Sequence, residues 1–580
     1  MKKNLLIIAA ITITLIGCNN SKNNEDAKFS QLAEEYLKGY LAWRPATGVY
    51  LGLHEYDGKV TDYSKASIDK ETLRLKDFLQ KLEAIDSTSL NKINYYDWQT
   101  LKSSIKNELF NIVELGSYHK NPMNYAYALD INIYVKRNFA PLEQRVKDII
   151  AIEKNAPELY KNAQLNLDDS LALPHIQLAI DIAKGNISFL TNDVPIALKD
   201  VKNDSLMLAF KAANKTATDA INQYIEFLQK NKLPKANNNY AIGKENFEKM
   251  LLYSEDITMP VDNILAIGLK ELKKEQEAFI AAAKIINPNK KAVEVYNEMQ
   301  KEHPTADSLI TDATKHLESI RQYVIDHKIV TMPSEVRVKL EATPPYARST
   351  TTASMDTPGP FEKTATEAYY YITPVDPKWT LKQQEDWLAS FNYYTTDIVS
   401  IHEAYPGHYT QFLHLNASKA SKIQKIFGSY AFVEGWAHYT EKMMIEAGFE
   451  QNGDKIIAAK YRLAQSGDAL LRICRLCVSI KTHCYKMNIE EATKFFMDNW
   501  YQGDKPSRQE ALRGTYDPGY LFYTLGKLQI LKLREDYKKQ EGNQYSLQKF
   551  NDAMLDNGMP PIRILRELLL KDKKSWNNIL

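Results

Sequence analysis

His402-Glu403-Ala404-Tyr405-Pro406-Gly407-His408 is the stretch on which the reading of this chain turns. Two histidines with a glutamate beside the first form the start of a metal-binding pattern, but the spacing is unusual. Histidines four apart lie about 40° apart around a helix of 3.6 residues per turn, and six apart they are separated by roughly 120°. A pair so separated cannot chelate one ion. Pro406 and Gly407 supply the correction. Proline has no N–H, and its ring clashes with the carbonyl four residues back, here that of His402. Gly407 accepts whatever dihedrals result. The motif is therefore expected to be a zinc-binding helix with two inserted residues, bulged so that His408 returns to the face of His402.

The next segment is Val433-Glu434-Gly435-Trp436-Ala437-His438-Tyr439-Thr440-Glu441. Glu434, His438 and Glu441 stand at i, i+4 and i+7, one face of a helix. Phe432, Val433, Trp436, Tyr439 and Met443 surround that face with apolar bulk. A buried stripe of Glu, His and Glu is costly unless it is paired or holds a metal. Zinc takes imidazole nitrogens and a carboxylate oxygen, and a hydrolytic site leaves its fourth position to water. Glu403, next to the first histidine, has the place of a general base for that water. His54-Glu55, with no second histidine near, has no such company.

Working outward, 381–414 reads as helical apart from the Pro-Gly break. Upstream, 336–340 alternates with period two and 368–372 is rich in strand-formers. These predict a small β-hairpin or sheet near the site, either structural or offering an exposed edge for main-chain pairing with a peptide. Downstream, helices run to the C-terminus. Cys474, Cys477 and Cys484 sit among apolar residues and read as packed core thiols. Glu510 and Arg513 lead into Tyr516-Asp517-Pro518-Gly519-Tyr520-Leu521-Phe522-Tyr523. Tyr523, Tyr520 or Arg513 could donate to an oxyanion, and Arg513 could instead hold a substrate carboxylate.

At the other end, Lys2 and Lys3 precede an apolar run from Leu5 to Leu15, too short to span a bilayer as an ordinary helix. Leu15-Ile16-Gly17-Cys18 looks like a lipobox. The expectation is a leader at 1–17, lipid on Cys18, a tether over 18–27, and an exported bacterial lipoprotein on the periplasmic side or outer membrane. Loss of the leader leaves 72 basic against 72 acidic residues, which gives no reason to expect a nucleic-acid partner. From 28 to 240 the pattern is helix after helix, expected to be scaffold and cleft wall. A polar turn at Asn237-Asn238-Asn239 marks the expected boundary with a catalytic half over 241–580.

The chain resembles the bacterial DUF885 family, through Arg44-Pro45, Gly48 and Gly52, the His402–His408 motif with Gln411, Glu434-Gly435-Trp436-Ala437 with Tyr439 and Glu441, and Glu510, Arg513, Pro518-Gly519, Tyr523 and Gly526. The resemblance implies a mainly α, zincin-like helical fold and a metallopeptidase-like site. In that site His402, His408 and Glu434 bind Zn2+, and Glu403 is the base. His438 and Glu441 would orient ligands from behind. Two departures, Arg513-Gly514 in place of Arg-Tyr and Pro518-Gly519-Tyr520 in place of Pro-Gly-Gln, fall on the substrate pocket and not on the metal ligands. The expected activity is zinc-dependent cleavage of short peptides in the cell envelope. The rivals are a zinc amidohydrolase or esterase, and a non-catalytic binding lipoprotein in which His438 closes the metal site.

Overall fold

The computed structural model describes residues 24–344, 348, 352–450 and 453–580. The leader and Cys18 lie outside the described residues. The fold is mainly α-helical with one small sheet. Residues 24–27, expected to be tether, already belong to a helix over 24–43. Among the described residues no helix is long and apolar enough to cross a membrane.

Apolar side chains gather into three cores. One runs from Phe247 to Ile579 and recruits Phe110. A second runs from Val49 to Leu228 and recruits Ala365, and a third, from Phe29 to Ile112, recruits Ile423. The site-bearing helices lie in the first: α1 (Tyr393–Glu403), α2 (His408–Ala417), α3 (Tyr430–Glu446), α4 (Lys455–Tyr485), α5 (Asp504–Tyr516) and α6 (Phe522–Glu541). Cys474 and Cys477 are buried in α4, and neither they nor Cys484 form a disulfide.

The sheet has three strands, β1 (Lys339–Ala342), β2 (Ala353–Asp356) and β3 (Tyr369–Ile372), in the order β1-β3-β2. β3 is parallel to β1 and antiparallel to β2. The stretch over 368–372, which could have been either an exposed edge or a structural strand, is the centre of the sheet. Tyr370 and Ile372 belong to the core, and a strand with so little polar surface is stable only when covered. The charged β1 takes one edge, two or three residues later than its alternation suggested. The sheet is fastened to the helices around the site. Tyr405 Oη accepts from the Val338 N–H at 3.2 Å, and Tyr409 Oη donates to the Val336 carbonyl at 3.0 Å. The β2–β3 connection is held by the N-terminal half: Arg137 pairs with Asp356 at 2.8 Å and donates to the Glu367 carbonyl at 2.8 Å.

Candidate metal centre

The expected bulge is a break between two helices. Asn392 caps α1, accepting from the Thr395 N–H at 3.0 Å, and the helix stops at Glu403. A new helix, α2, starts at His408 itself. Between them the Gly407 N–H reaches back to the Ile401 carbonyl at 2.9 Å. A β-carbon on Gly407 would overlap the carbonyl oxygens of His402 and Ile401, so only glycine allows this approach. Trp436 of α3 closes the turn, donating from Nε1 to the Pro406 carbonyl at 3.0 Å. Missing helical hydrogen bonds at proline are what turn an insertion into a break. His402 and His408 end with ring centres 4.9 Å apart and planes at 89°.

Helix α3 brings the carboxylate. Ser429 caps it by accepting from the Phe432 N–H at 2.9 Å, and the buried Glu255 carboxylate accepts from the Ala431 N–H at 3.1 Å and from the Ser429 hydroxyl. Negative charge at a helix N-terminus meets unpaired N–H groups and the positive end of the dipole. α3 crosses α6 where Gly435 faces Gly526, and a β-carbon on either would strike the other helix's backbone. That close crossing puts Tyr523 beside Glu434.

The result is a compact triangle. His402 Nε2 and His408 Nε2 each lie 3.5 Å from the same oxygen, Glu434 Oε2. That oxygen is buried and has no hydrogen-bond partner. The separation is long for a hydrogen bond, but close to the edge of about 3.3–3.4 Å that metal–ligand bonds of about 2.0–2.1 Å make in a tetrahedron. Ligand atoms of all three side chains lie within 4.8 Å of one another, and they are the sole His/Cys/Asp/Glu group of this kind among the described residues. The donor set fits zinc.

Behind the triangle, Glu441 bridges two histidines. Its Oε1 accepts from His402 Nδ1 at 2.7 Å and its Oε2 from His438 Nδ1 at 3.0 Å. When His402 is neutral with its proton on Nδ1, its lone pair lies on Nε2, toward Glu434. Arg472 of α4 lies 3.5 Å from Glu441 Oε1 and also pairs with Asp468. Burial pushes the Glu441 carboxyl up, to about 7, against the pull of Arg472. Burial alone would favour neutral His402, but the neighbouring carboxylates of Glu434 and Glu441 outweigh it and raise the imidazole to about 10. Burial likewise opposes the Glu434 charge, and His402 and His408 overcome it, holding the carboxyl well below its usual range. Burial, with Lys527 and Arg472 nearby, keeps His438 neutral, well below the ordinary imidazole range.

Glu403 is half-buried at the end of α1. The Tyr370 hydroxyl of β3, raised by burial first, is raised further by the charges of Glu403 and Asp397. The Tyr523 ring lies parallel to His402 at 6.5 Å. Burial and the charge of Glu434 keep its hydroxyl protonated. Three guanidinium groups surround that ring: Arg475 at 5.1 Å, Arg472 at 5.6 Å and Arg513 at 5.9 Å. Arg513 is already paired with Asp517 at 3.0 Å and touches the Tyr430 hydroxyl at 3.3 Å. Tyr520 is fully buried, and its hydroxyl occupies the space a side chain at Gly514 would need. The two departures from the family pattern therefore meet in space. The Tyr520 hydroxyl is directed to Gly514, with the charges of Glu510 and Arg475 near it.

Sequence reasoning passed over Asp468, Arg472 and Glu255. Asp468 and Arg472, four apart in a helix rich in apolar residues, were the visible signal of a buried pair. Glu255 had none.

The family model described as "Bacterial protein of unknown function (DUF885)" matches residues 45–569. The chain belongs to the DUF885 family. Two solved structures resemble this DUF885 member over nearly its whole length. One, from Shewanella oneidensis, is provisionally described as a lipoprotein of unknown function. It is 25% identical with a TM-score of 0.78, over 94% of this chain and all of that one. The other, from Colwellia psychrerythraea, is provisionally described as a lipoprotein. It is 17% identical with a TM-score of 0.78, over 96% and 99% of the two chains, and shows the fold alone. No curated protein matches the sequence.

Proposed function

We propose that this DUF885 member is a zinc-dependent hydrolase of the cell envelope that cleaves peptide bonds in short peptides. The observation that carries the reading is Glu434 Oε2, buried, unpartnered and equidistant from two imidazole nitrogens. His402, His408 and Glu434 would hold the ion. Bound there, zinc supplies the Lewis acidity that activates a water molecule and polarises a scissile carbonyl. Glu403 takes the proton from the attacking water and delivers it to the leaving amine nitrogen. Glu441 fixes the orientation of His402 through Nδ1. Tyr523, protonated and beside Glu434, donates its hydroxyl to the developing oxyanion. Arg513 anchors substrate only by exchanging Asp517 for a substrate carboxylate. His438, its Nδ1 given to Glu441, is not among the three grouped ligands, which favours an open catalytic site over a closed structural one.

The leader with Cys18, together with the descriptions of the two structural relatives, supports an exported bacterial lipoprotein held to a membrane by its N-terminus. The test is metal content and peptide-library hydrolysis by the wild type, His408→Ala and Glu403→Gln. About one zinc per chain is expected in the wild type and in Glu403→Gln, and little in His408→Ala. Turnover should fall at least about 100-fold in both variants. Equal metal in all three would sink the ligand set, and an active Glu403→Gln would sink the base. Cleavage of acyl amides or esters but no peptide would move the substrate to the rival class.

A further inference from the structure

The helix over 24–43 begins against the first turn of the Lys92–Leu109 helix. Asp26 accepts from the Asn91 N–H at 3.0 Å and from Asn94 Nδ2 at 2.8 Å, and Glu25 accepts from the Asp86 N–H at 3.2 Å. Cys18 precedes residue 24 by six residues, which at full extension reach about 20 Å. A bilayer holding acyl chains on Cys18 therefore lies within about that distance of residue 24 and its Asn91–Asn94 neighbours.

What the fold puts there is amphipathic. One to three turns beyond Asn94 on its helix, Trp98, Lys102 and Lys106 join Leu252, which is 37% exposed, and Tyr253 and Ile564 around an open cavity of about 200 Å3. Tyr95 stacks on Trp98 with centroids 6.4 Å apart, and Lys102 Nζ lies 4.7 Å over the indole. Lys102 and Lys106 share one carboxylate, Glu83, at 3.4 and 3.6 Å, so this pair of cations is not fully neutralised. An exposed leucine, an indole whose N–H is already satisfied by the Leu82 carbonyl, and lysines beside it suit the headgroup layer. The rings enter between headgroups while the ammonium groups meet phosphate.

We propose that this flank of the Lys92–Leu109 helix rests on the anionic phospholipid surface, so that the protein is held by its anchor in one orientation. The inference rests on the lipoprotein reading above and adds which face meets the membrane. It is tested with the full lipidated chain on vesicles of phosphatidylethanolamine and phosphatidylglycerol carrying brominated acyl chains. Bromine should quench tryptophan emission in the wild type, and Trp98→Phe should remove that loss. Independently of any Trp98 variant, Lys102 and Lys106 should react severalfold more slowly with a water-soluble acylating reagent on vesicles than in soluble Cys18→Ser protein. Lipid on Cys18 by mass, with neither quenching nor protection, overturns the orientation and leaves the anchor standing. Absence of lipid on Cys18 overturns both.

Discussion

At Gly407 a single β-carbon decides whether the two histidines can meet. The space it would fill already holds the carbonyl oxygens of His402 and Ile401, and backbone does not yield as a flexible side chain does. Gly407→Ala is therefore expected to lose at least about 3 kcal/mol of stability and to lose zinc with it. Urea unfolding and metal analysis of the purified variant check this. Wild-type stability with a full complement of zinc would mean that the turn can re-form around a side chain. The residue types of the site were legible in the sequence, because few chains place His-Glu, His and Glu-x-x-x-His-x-x-Glu on amphipathic helices without a use for them. Their partners were less so. Arg472, paired with Asp468, reaches Glu441 from another helix; the pair is visible in the sequence, and only packing reveals that it faces Glu441.

At the scale of elements, α3 is the helix on which the candidate centre depends, and Glu255 holds its start. Burial pushes the Glu255 carboxyl from 4.5 to about 7. Between those values the folded protein keeps a proton that the unfolded chain has released. The contribution to stability is thus complete below about pH 4.5 and is withdrawn as pH rises toward 7, by on the order of 3 kcal/mol. Glu255→Gln removes this titration. The stability difference between variant and wild type should shift in the variant's favour by that order across the same window, as read by denaturant unfolding at several pH values. A constant difference would place the charge of Glu255 in a better solvated setting than its burial indicates. The helices themselves were largely foreseen from their apolar spacing. The break at 404–407 and the central position of β3 were not. A proline signals that a helix is disturbed, but whether it bulges or ends depends on what receives the freed carbonyls and N–H groups. Here Trp436, 30 residues away in sequence but adjacent in space, donates to the Pro406 carbonyl.

Across the whole molecule, the candidate ligands come from α1, α2 and α3, with Glu441 braced by α4 and Tyr523 carried on α6. A cation that binds only the folded arrangement therefore stabilises all of these elements together. At a free zinc concentration 100-fold above its dissociation constant the gain is about 2.7 kcal/mol. Thermal unfolding with zinc, and again after chelation, should show the melting temperature rising with zinc in the wild type and not in His408→Ala. An equal response in both would place zinc elsewhere. The N-terminal half enters through Arg137, whose contacts with Asp356 and with the Ala365 and Glu367 carbonyls fasten the sheet behind the site. No periodicity in residues 28–240 announced that role, since a salt bridge between residues 219 positions apart leaves no local pattern.

By itself the sequence determined the helical class, the family, and which side chains have metal-binding chemistry at helix-compatible spacing, because these depend on residue type and local period. The tertiary structure decided that His402 and His408 face one Glu434 oxygen, that Tyr523 stands beside it while the Tyr520 hydroxyl is directed to Gly514, and that β3 is covered. Each of those depends on contacts between segments distant in the chain, on glycine-to-glycine helix crossing, and on burial, none of which a local pattern encodes.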